Sequence, residues 1–115
     1  MHEVSLVRSI INTLEEQFSE QELKRLKQID LQIGVFSNVE PQLMRNAFEA
    51  VQKASGKYQQ VSLHIESVPI KIFCEDCGVD TLVENYVFVC ARCQKPSDKL
   101  TQGTELLIKR VYFED

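Results

Sequence analysis

The sequence predicts an α+β protein in which two helices pack on a three-stranded sheet, with an inserted four-cysteine zinc-ribbon module. Two segments repeat apolar residues at three- and four-residue steps, as amphipathic helices do. Three segments alternate apolar and polar residues, as half-buried strands do. The only cysteines form two C-x-x-C pairs, Cys74 with Cys77 and Cys90 with Cys93.

The first half of the chain predicts a helix followed by a strand. The helix is expected over residues 5–18, where Val7, Ile10 and Leu14 belong to one apolar stripe. Residues 19–27 are polar and charged, so they are expected to end the helix and connect it to the strand. Residues 29–35 alternate as a half-buried strand should.

A second helix–strand pair is expected next. Pro41 suits the first turn of a helix, which puts Glu40 at or beside the N-cap, and Gly56 closes the helix. Residues 61–65 alternate again, with His64 directed at solvent, and this strand ends before Pro69.

Helical periodicity vanishes between residues 70 and 103, which predicts a separate zinc-binding domain over 70–103. The cysteine pairs are expected to flank a short β-rich stretch at residues 86–89. Residues 105–113 then resume a strand, with Leu106 and Ile108 on one face and Leu107, Lys109 and Val111 on the other. This strand would rejoin the first sheet, so residues 1–69 plus 104–115 form the other domain.

Composition narrows the function classes. The formal net charge of −4 argues against a nucleic-acid-binding protein, which would be basic. No apolar run approaches the ~20 residues that span a membrane, and no signal peptide is apparent, so a cytoplasmic protein is expected. The sequence offers no nucleotide-binding loop and too few histidines for a catalytic triad. We therefore expect no enzymatic activity.

The cysteine pairs predict a structural zinc site. Four thiolates close all four positions of tetrahedral zinc, which is typical of structural rather than catalytic sites. In a reducing compartment such pairs favour metal over disulfides. Each pair is followed by a residue, Gly78 or Gln94, that must tolerate a positive φ so that backbone amides turn toward the thiolates. Iron, disulfides and a redox-active C-x-x-C are the alternatives.

The first three residues, Met1, His2 and Glu3, offer a second candidate metal site. A free α-amine, the His2 backbone nitrogen and the His2 imidazole can close adjacent chelate rings, and Glu3 can add a further donor. Planar, nitrogen-rich coordination is typical of Ni(II) or Cu(II) rather than zinc. The alternative is that His2 is merely a solvated residue before a helix. Glu40 serves as a helix cap or lies near this N-terminus.

The whole layout resembles the HypA/HybF family of hydrogenase nickel-incorporation proteins. The segments that carry this resemblance are Met1-His2-Glu3-Val4-Ser5-Leu6, Leu31-Gln32-Ile33-Gly34, Val39-Glu40-Pro41-Gln42-Leu43, Ala47-Phe48-Glu49, Ile65-Glu66-Ser67-Val68-Pro69, the cysteine pairs and Gly103-Thr104-Glu105-Leu106. The chain departs from the family's usual Cys-Pro-x-Cys-Gly at its second pair, where Ala91 and Gln94 replace proline and glycine.

The resemblance implies a metallochaperone that delivers Ni(II) for maturation of [NiFe]-hydrogenase, and relatives also assist urease. Its nickel ligands would be Met1 through the α-amine, His2 and Glu3, with Glu40 as an addition, and its zinc ligands would be the four cysteines. The implied partners are a HypB-type nickel-binding GTPase and the hydrogenase large-subunit precursor. We expect a monomer or weak homodimer. The rival prediction is a zinc-ribbon protein-interaction module without a second metal.

Overall fold

The predicted α+β class is confirmed by a computed structural model that describes residues 2–115, with side chains from residue 3 onward. The elements of the described chain are α1 (His2–Gln17), α2 (Glu20–Lys24), β1 (Leu26–Gly34), a 3-10 turn (Val35–Ser37), α3 (Pro41–Ser55), β2 (Ser62–Val68), β3 (Lys71–Cys74), β4 (Val79–Leu82), β5 (Leu100–Gln102) and β6 (Leu106–Phe113). The strands form two three-stranded sheets, ordered β2-β1-β6 and β4-β3-β5.

The main core lies between the first sheet and the two long helices. Strand β1 is central, parallel to β2 and antiparallel to β6. Its residues Ile29, Leu31 and Ile33 are at most 2% exposed and share one cluster with Val7 of α1 and Met44 of α3. The strand's alternation therefore places every second side chain in the core, as the sequence predicts.

The opposite face of this sheet is polar. Lys109 lies 2.9 Å from Glu66, and Arg110 lies 3.5 Å from Asp30. His64 is exposed, as predicted for its position in β2.

The prediction that residues 19–27 only end the first helix and connect it to the strand is wrong, because these residues include helix α2. Ser19 Oγ accepts a hydrogen bond from the Glu22 amide at 3.1 Å, and the Glu22 carboxylate accepts one from the Ser19 amide at 2.9 Å. This reciprocal capping box starts the helix, and Leu23, only 6% exposed, anchors it to the core. The sequence carried the signal, because Ser19-x-x-Glu22 is the capping-box pattern.

Helix α3 begins and ends where the sequence predicts. Glu40 is its N-cap and accepts a hydrogen bond from the Gln42 amide, and Pro41 occupies the first turn. Gly56 ends the helix in the left-handed conformation, with φ 68°, and a Cβ atom added there would meet no atom within 4 Å.

A bulge in β6 makes the predicted face assignment wrong beyond Ile108. Arg110 pairs with Asp30 and Ile108 pairs with Leu31, so Lys109 is an extra residue in the strand. The bulge shifts the alternation by one residue. Val111 consequently joins Ile108 against the core, whereas the sequence predicts opposite faces for them.

The predicted β-rich stretch at residues 86–89 is not a strand. Asn85 and Tyr86 have φ values of 55° and 59°, and the Val87 amide donates to the Glu84 carbonyl. Two consecutive positive φ values make a tight turn, which interrupts strand geometry. In this stretch only Val89 forms an isolated bridge, to Pro96; the strand that follows the first cysteine pair is β4.

The directions of the elements bring the start of α1 to the same end of the core as the four-cysteine module. Gly34 pairs with Val68 in the parallel register, so β1 and β2 finish together, where α3 also begins. Tyr58, which follows α3, donates a 2.6 Å hydrogen bond to Glu15 in the last turn of α1. Helices α1 and α3 therefore run in the same direction, and both begin at the end of the sheet that carries residues 69–105. We call this the module end.

The two sheets are joined at a close crossing of backbone. The Gly34 amide donates to the Glu105 carbonyl at 2.7 Å, and the Phe36 amide donates to the Gly103 carbonyl at 2.8 Å. A Cβ atom on Gly34 would lie 2.0 Å from the Gly103 oxygen. Only glycine fits at this point, because any side chain would push the two segments apart.

Candidate metal centres

The four cysteines converge in one cluster, as their spacing predicts. Cys74 ends β3 and Cys77 lies in the turn before β4, whereas Cys90 and Cys93 belong to the later turn. Their sulfur atoms all lie within 4.8 Å of one another, and this is the only such group of potential metal ligands among the residues whose side chains are described. Cys74 and Cys90 are buried and the other two are half-buried.

The two cysteine turns have nearly the same backbone geometry. The Gly78 amide donates to the Cys74 carbonyl at 2.7 Å, and the Gln94 amide donates to the Cys90 carbonyl at 2.9 Å. Gly78 has φ 67° and Gln94 has φ 66°. Gln94 therefore takes the left-handed conformation that glycine takes in the first turn, at a cost of roughly 1–2 kcal/mol for a non-glycine residue.

The sulfur geometry fits a tetrahedral metal. Cys74 Sγ and Cys93 Sγ are 3.6 Å apart. Four sulfurs at zinc–sulfur distances of about 2.3 Å would be separated by about 3.8 Å in a regular tetrahedron. A disulfide would require about 2.05 Å, so these thiols are unpaired. The cluster therefore has the geometry of a closed metal site, in which four thiolates would fill every tetrahedral position.

The second turn provides amides to its thiolate. Hydrogen bonds from the Cys93 and Arg92 amides lower the pKa of the Cys90 thiol to about 6. The Arg92 amide lies 3.4 Å from Cys90 Sγ. The pKa of Cys77 is raised to about 12, chiefly because its thiol hydrogen-bonds to Cys93.

Charged residues around the cluster pair with one another. Lys95 Nζ lies 2.7 Å from the Asp76 carboxylate, and Lys99 pairs with Glu75. These pairs link the two cysteine turns, because the acids belong to the first turn and the lysines follow the second. The Asp76 hydrogen bond is the main reason that the pKa of Lys95 is raised; the nearby thiols Cys93 and Cys74 contribute less.

The candidate nickel ligands are described only in part. Met1 and the side chain of His2 lie outside the described residues. Glu3 lies in the first turn of α1 and is 9% exposed. Glu40 caps α3, with its Oε1 atom accepting the 2.9 Å hydrogen bond from the Gln42 amide. Both acidic residues are therefore at helix starts at the module end.

The sequence does not predict a contact between the two halves of the molecule. The rings of Phe36, in the 3-10 turn, and Phe88, just before the second cysteine pair, meet edge to face with centroids 5.8 Å apart. Neither residue belongs to a periodic pattern that would have predicted the contact.

Within residues 2–115, no helix combines the length and apolar character needed to cross a bilayer.

The fold and the cluster define a small α+β metalloprotein with a four-thiol module inserted into its sheet. The family model described as "Hydrogenase/urease nickel incorporation, metallochaperone, hypA" matches residues 1–113. The chain therefore belongs to the HypA family of nickel-incorporation metallochaperones for hydrogenase maturation. A metallochaperone carries a metal rather than transforming a substrate, which agrees with the expectation that the chain is not an enzyme.

Individual relatives match over nearly their full length. The hydrogenase maturation factor HypA of Campylobacter jejuni is 32% identical, and the match covers 99% of this chain and 100% of that protein. The HypA of Shewanella baltica strain OS195 is 29% identical, with 99% and 97% covered. The solution structure of the Ni metallochaperone HypA from Helicobacter pylori superposes with a TM-score of 0.63 at 25% identity, covering 96% of both chains. A second solution structure of a HypA protein gives 0.69 at 26% identity, covering 99% and 97%.

Proposed function

We propose that this chain binds Ni(II) at its N-terminus and delivers it to a [NiFe]-hydrogenase, while Zn(II) in the four-cysteine cluster holds the module together. The observation that carries the proposal is the use of all four cysteines in one closed cluster. A cage of four thiolates has no position for cargo, so an exchangeable nickel ion needs other ligands.

The nickel ligands in this proposal are the Met1 α-amine, the His2 backbone nitrogen and imidazole, and Glu3, with Glu40 as an additional acidic donor. The amine and the imidazole must be neutral to bind, so nickel binding releases protons and weakens as the pH falls. A site built from terminal atoms is accessible to a partner's ligands, which can replace its donors one at a time. We expect micromolar affinity, with Cu(II) binding more tightly than Ni(II).

The zinc ligands are Cys74, Cys77, Cys90 and Cys93. Zinc in this cage supplies a structural cross-link between the two cysteine turns and no open coordination position. The nickel-binding domain comprises residues 1–69 plus 104–115, and the zinc-binding domain comprises residues 70–103. The presence of two separate sheets supports this proposed division.

The partners in this proposal are a HypB-type nickel-binding GTPase and the hydrogenase large-subunit precursor, met in the cytoplasm. The family description also names urease, so a urease precursor is a second client of the same chemistry. The chain's net charge of −4 offers no electrostatic basis for a nucleic-acid partner.

The test is Ni(II) titration calorimetry on tag-free, zinc-loaded protein. We expect one nickel site that is lost in His2→Ala and in a form with one residue added before Met1, with zinc content unchanged. His64→Ala is the matched control, since His64 is the only other histidine and lies exposed on β2. Nickel binding that survives both N-terminal changes would refute the N-terminal site, whereas a zinc-loaded wild type that binds no nickel would leave a zinc-ribbon interaction module without a second metal.

A further inference from the structure

The contact between Phe36 and Phe88 joins the zinc module to the core at a point that can open. Their rings meet at an interplanar angle of 76°, a favourable edge-to-face arrangement. Phe36 is 46% exposed. The contact borders a cleft of about 610 Å³, whose lining also includes Pro96 and Leu100. The two rings are thus not enclosed by a packed core, and either ring has room to move away from the other.

On the core side, residues 37–40 connect Phe36 to the start of α3, and hydrogen bonding and burial fix this short segment. Ser37 Oγ donates a 2.7 Å hydrogen bond to the Gly34 carbonyl. Asn38 adopts the left-handed conformation with φ 64°, and Val39 is buried in the core at 8% exposure. Glu40 then caps α3. Four residues therefore separate the aromatic contact from a helix start at the module end.

On the module side, Phe88 is fixed by the turn that holds the second cysteine pair. The Phe88 carbonyl accepts a 3.1 Å hydrogen bond from the Ser97 amide, and the Cys90 amide donates to the Lys95 carbonyl at 2.9 Å. A metal bound by all four thiolates ties this turn to the first cysteine turn. Loss of the metal removes those ties and frees the turn that carries Phe88.

We infer that Phe36 and Phe88 are positioning residues that transmit the metal state of the four-cysteine cluster to the start of α3. The inference rests on the proposed function for the identity of the two metals. With zinc bound, Phe88 holds Phe36 and so fixes Val39 and Glu40; without zinc, the contact opens and this segment relaxes.

The coupling is measured by two-dimensional NMR of nitrogen-15-labelled protein. Zinc-loaded and zinc-free samples are compared, and neither contains nickel. In the wild type, zinc removal should shift the amide signals of Val39 and Glu40. In zinc-loaded Phe88→Ala and Phe36→Ala, these signals should already lie near their zinc-free positions and move little when zinc is removed. Each variant changes a different half of the molecule, so a folding defect in one leaves the other informative.

Val87→Ala is the matched control, because Val87 is 57% exposed and adjoins Phe88 in the same turn. It should keep the wild-type response, and unchanged signals from Ile29 would show that the core is intact. The inference would be overturned if the wild-type amide signals of Val39 and Glu40 did not shift when zinc is removed. A response in both phenylalanine variants that equals the wild-type response would also overturn it.

A second readout is the nickel affinity of the zinc-loaded proteins. Phe88→Ala should change the nickel Kd by about two- to tenfold, the range that an aromatic pair can supply, while Val87→Ala should not. An unchanged Kd in Phe88→Ala would contradict transmission to the nickel site. Failure of the proposed function is distinguishable, because it would appear as absent nickel binding in the wild type.

Discussion

Substitution of Gly34 by alanine tests the crossing that joins the two sheets. Gly34 has φ −73°, so alanine is not strained by its backbone conformation there. Its Cβ atom, however, would lie 2.0 Å from the Gly103 oxygen and 2.6 Å from the Thr104 nitrogen. Both neighbours are backbone atoms, and contacts below 3.0 Å essentially never occur, so the two segments must separate by about 1 Å.

That separation would break the two hydrogen bonds of the crossing, which are 2.7 and 2.8 Å long. Each contributes a net 0.5–1.5 kcal/mol, so together they supply about 2 kcal/mol. Alanine stabilises the protein by about 0.5–1 kcal/mol because it restricts the unfolded chain, which leaves a local cost of about 1–1.5 kcal/mol. A local loss of this size corresponds to roughly a 5- to 13-fold fall in protection.

Native-state hydrogen exchange of the Phe36 amide measures this cost, because that amide donates to Gly103. Exchange should accelerate by about 5- to 13-fold in Gly34→Ala. The matched control is Gly56→Ala, where φ is 68° and no atom lies within 4 Å of the added Cβ. It should cost about 1 kcal/mol at the end of α3 without affecting the Phe36 amide. Equal Phe36 protection in Gly34→Ala and the wild type would refute the reasoning.

Four further predictions concern other parts of the fold. Tyr58→Phe removes the hydrogen bond to Glu15, so urea unfolding should show a loss of about 0.5–1 kcal/mol, and an unchanged midpoint would contradict this. Burial and that hydrogen bond raise the pKa of Tyr58 from 10.0 to about 12. The stability that the Tyr58 hydroxyl provides is therefore complete below pH 10 and is lost as the pH rises through 12. Tyr58→Phe should not show this loss of stability at alkaline pH. Ser19→Ala breaks the capping box and should cost about 1 kcal/mol in urea unfolding, whereas an equal stability would show that α2 needs no cap. Removal of zinc by a chelator should collapse the chemical-shift dispersion of the NMR signals from β3–β5, while the signals of β1 stay in place. Simultaneous loss of both sheets would contradict a role of the metal that is confined to the module.

The parts of the molecule that the sequence predicts well are those governed by local chemistry. Pro41 and Gly56 mark the ends of α3 because their backbone preferences act within one or two residues. The C-x-x-C spacing predicts convergence of the cysteines because few other arrangements satisfy four thiolates. The alternation of β1 predicts its buried face for the same local reason.

The features that the sequence did not predict depend on contacts between distant segments. The extra residue Lys109 is visible only in the pairing of β6 with β1, since strand residues themselves carry no mark of a bulge. The contact of Phe36 with Phe88 depends on how the module is oriented, which no local pattern specifies. Helix α2 is different, because its capping box was present in the sequence and was read as a connection.

X-ray absorption spectroscopy at the zinc and nickel edges of one doubly loaded sample tests most directly whether the two metals occupy separate sites. We expect four sulfur neighbours at about 2.3 Å around zinc, with only nitrogen and oxygen neighbours around nickel. His2→Ala should remove the imidazole signature at the nickel edge and leave the zinc edge unchanged. Sulfur around nickel, or fewer than four sulfurs around zinc, would contradict the division of one closed thiolate cage and one terminal cargo site.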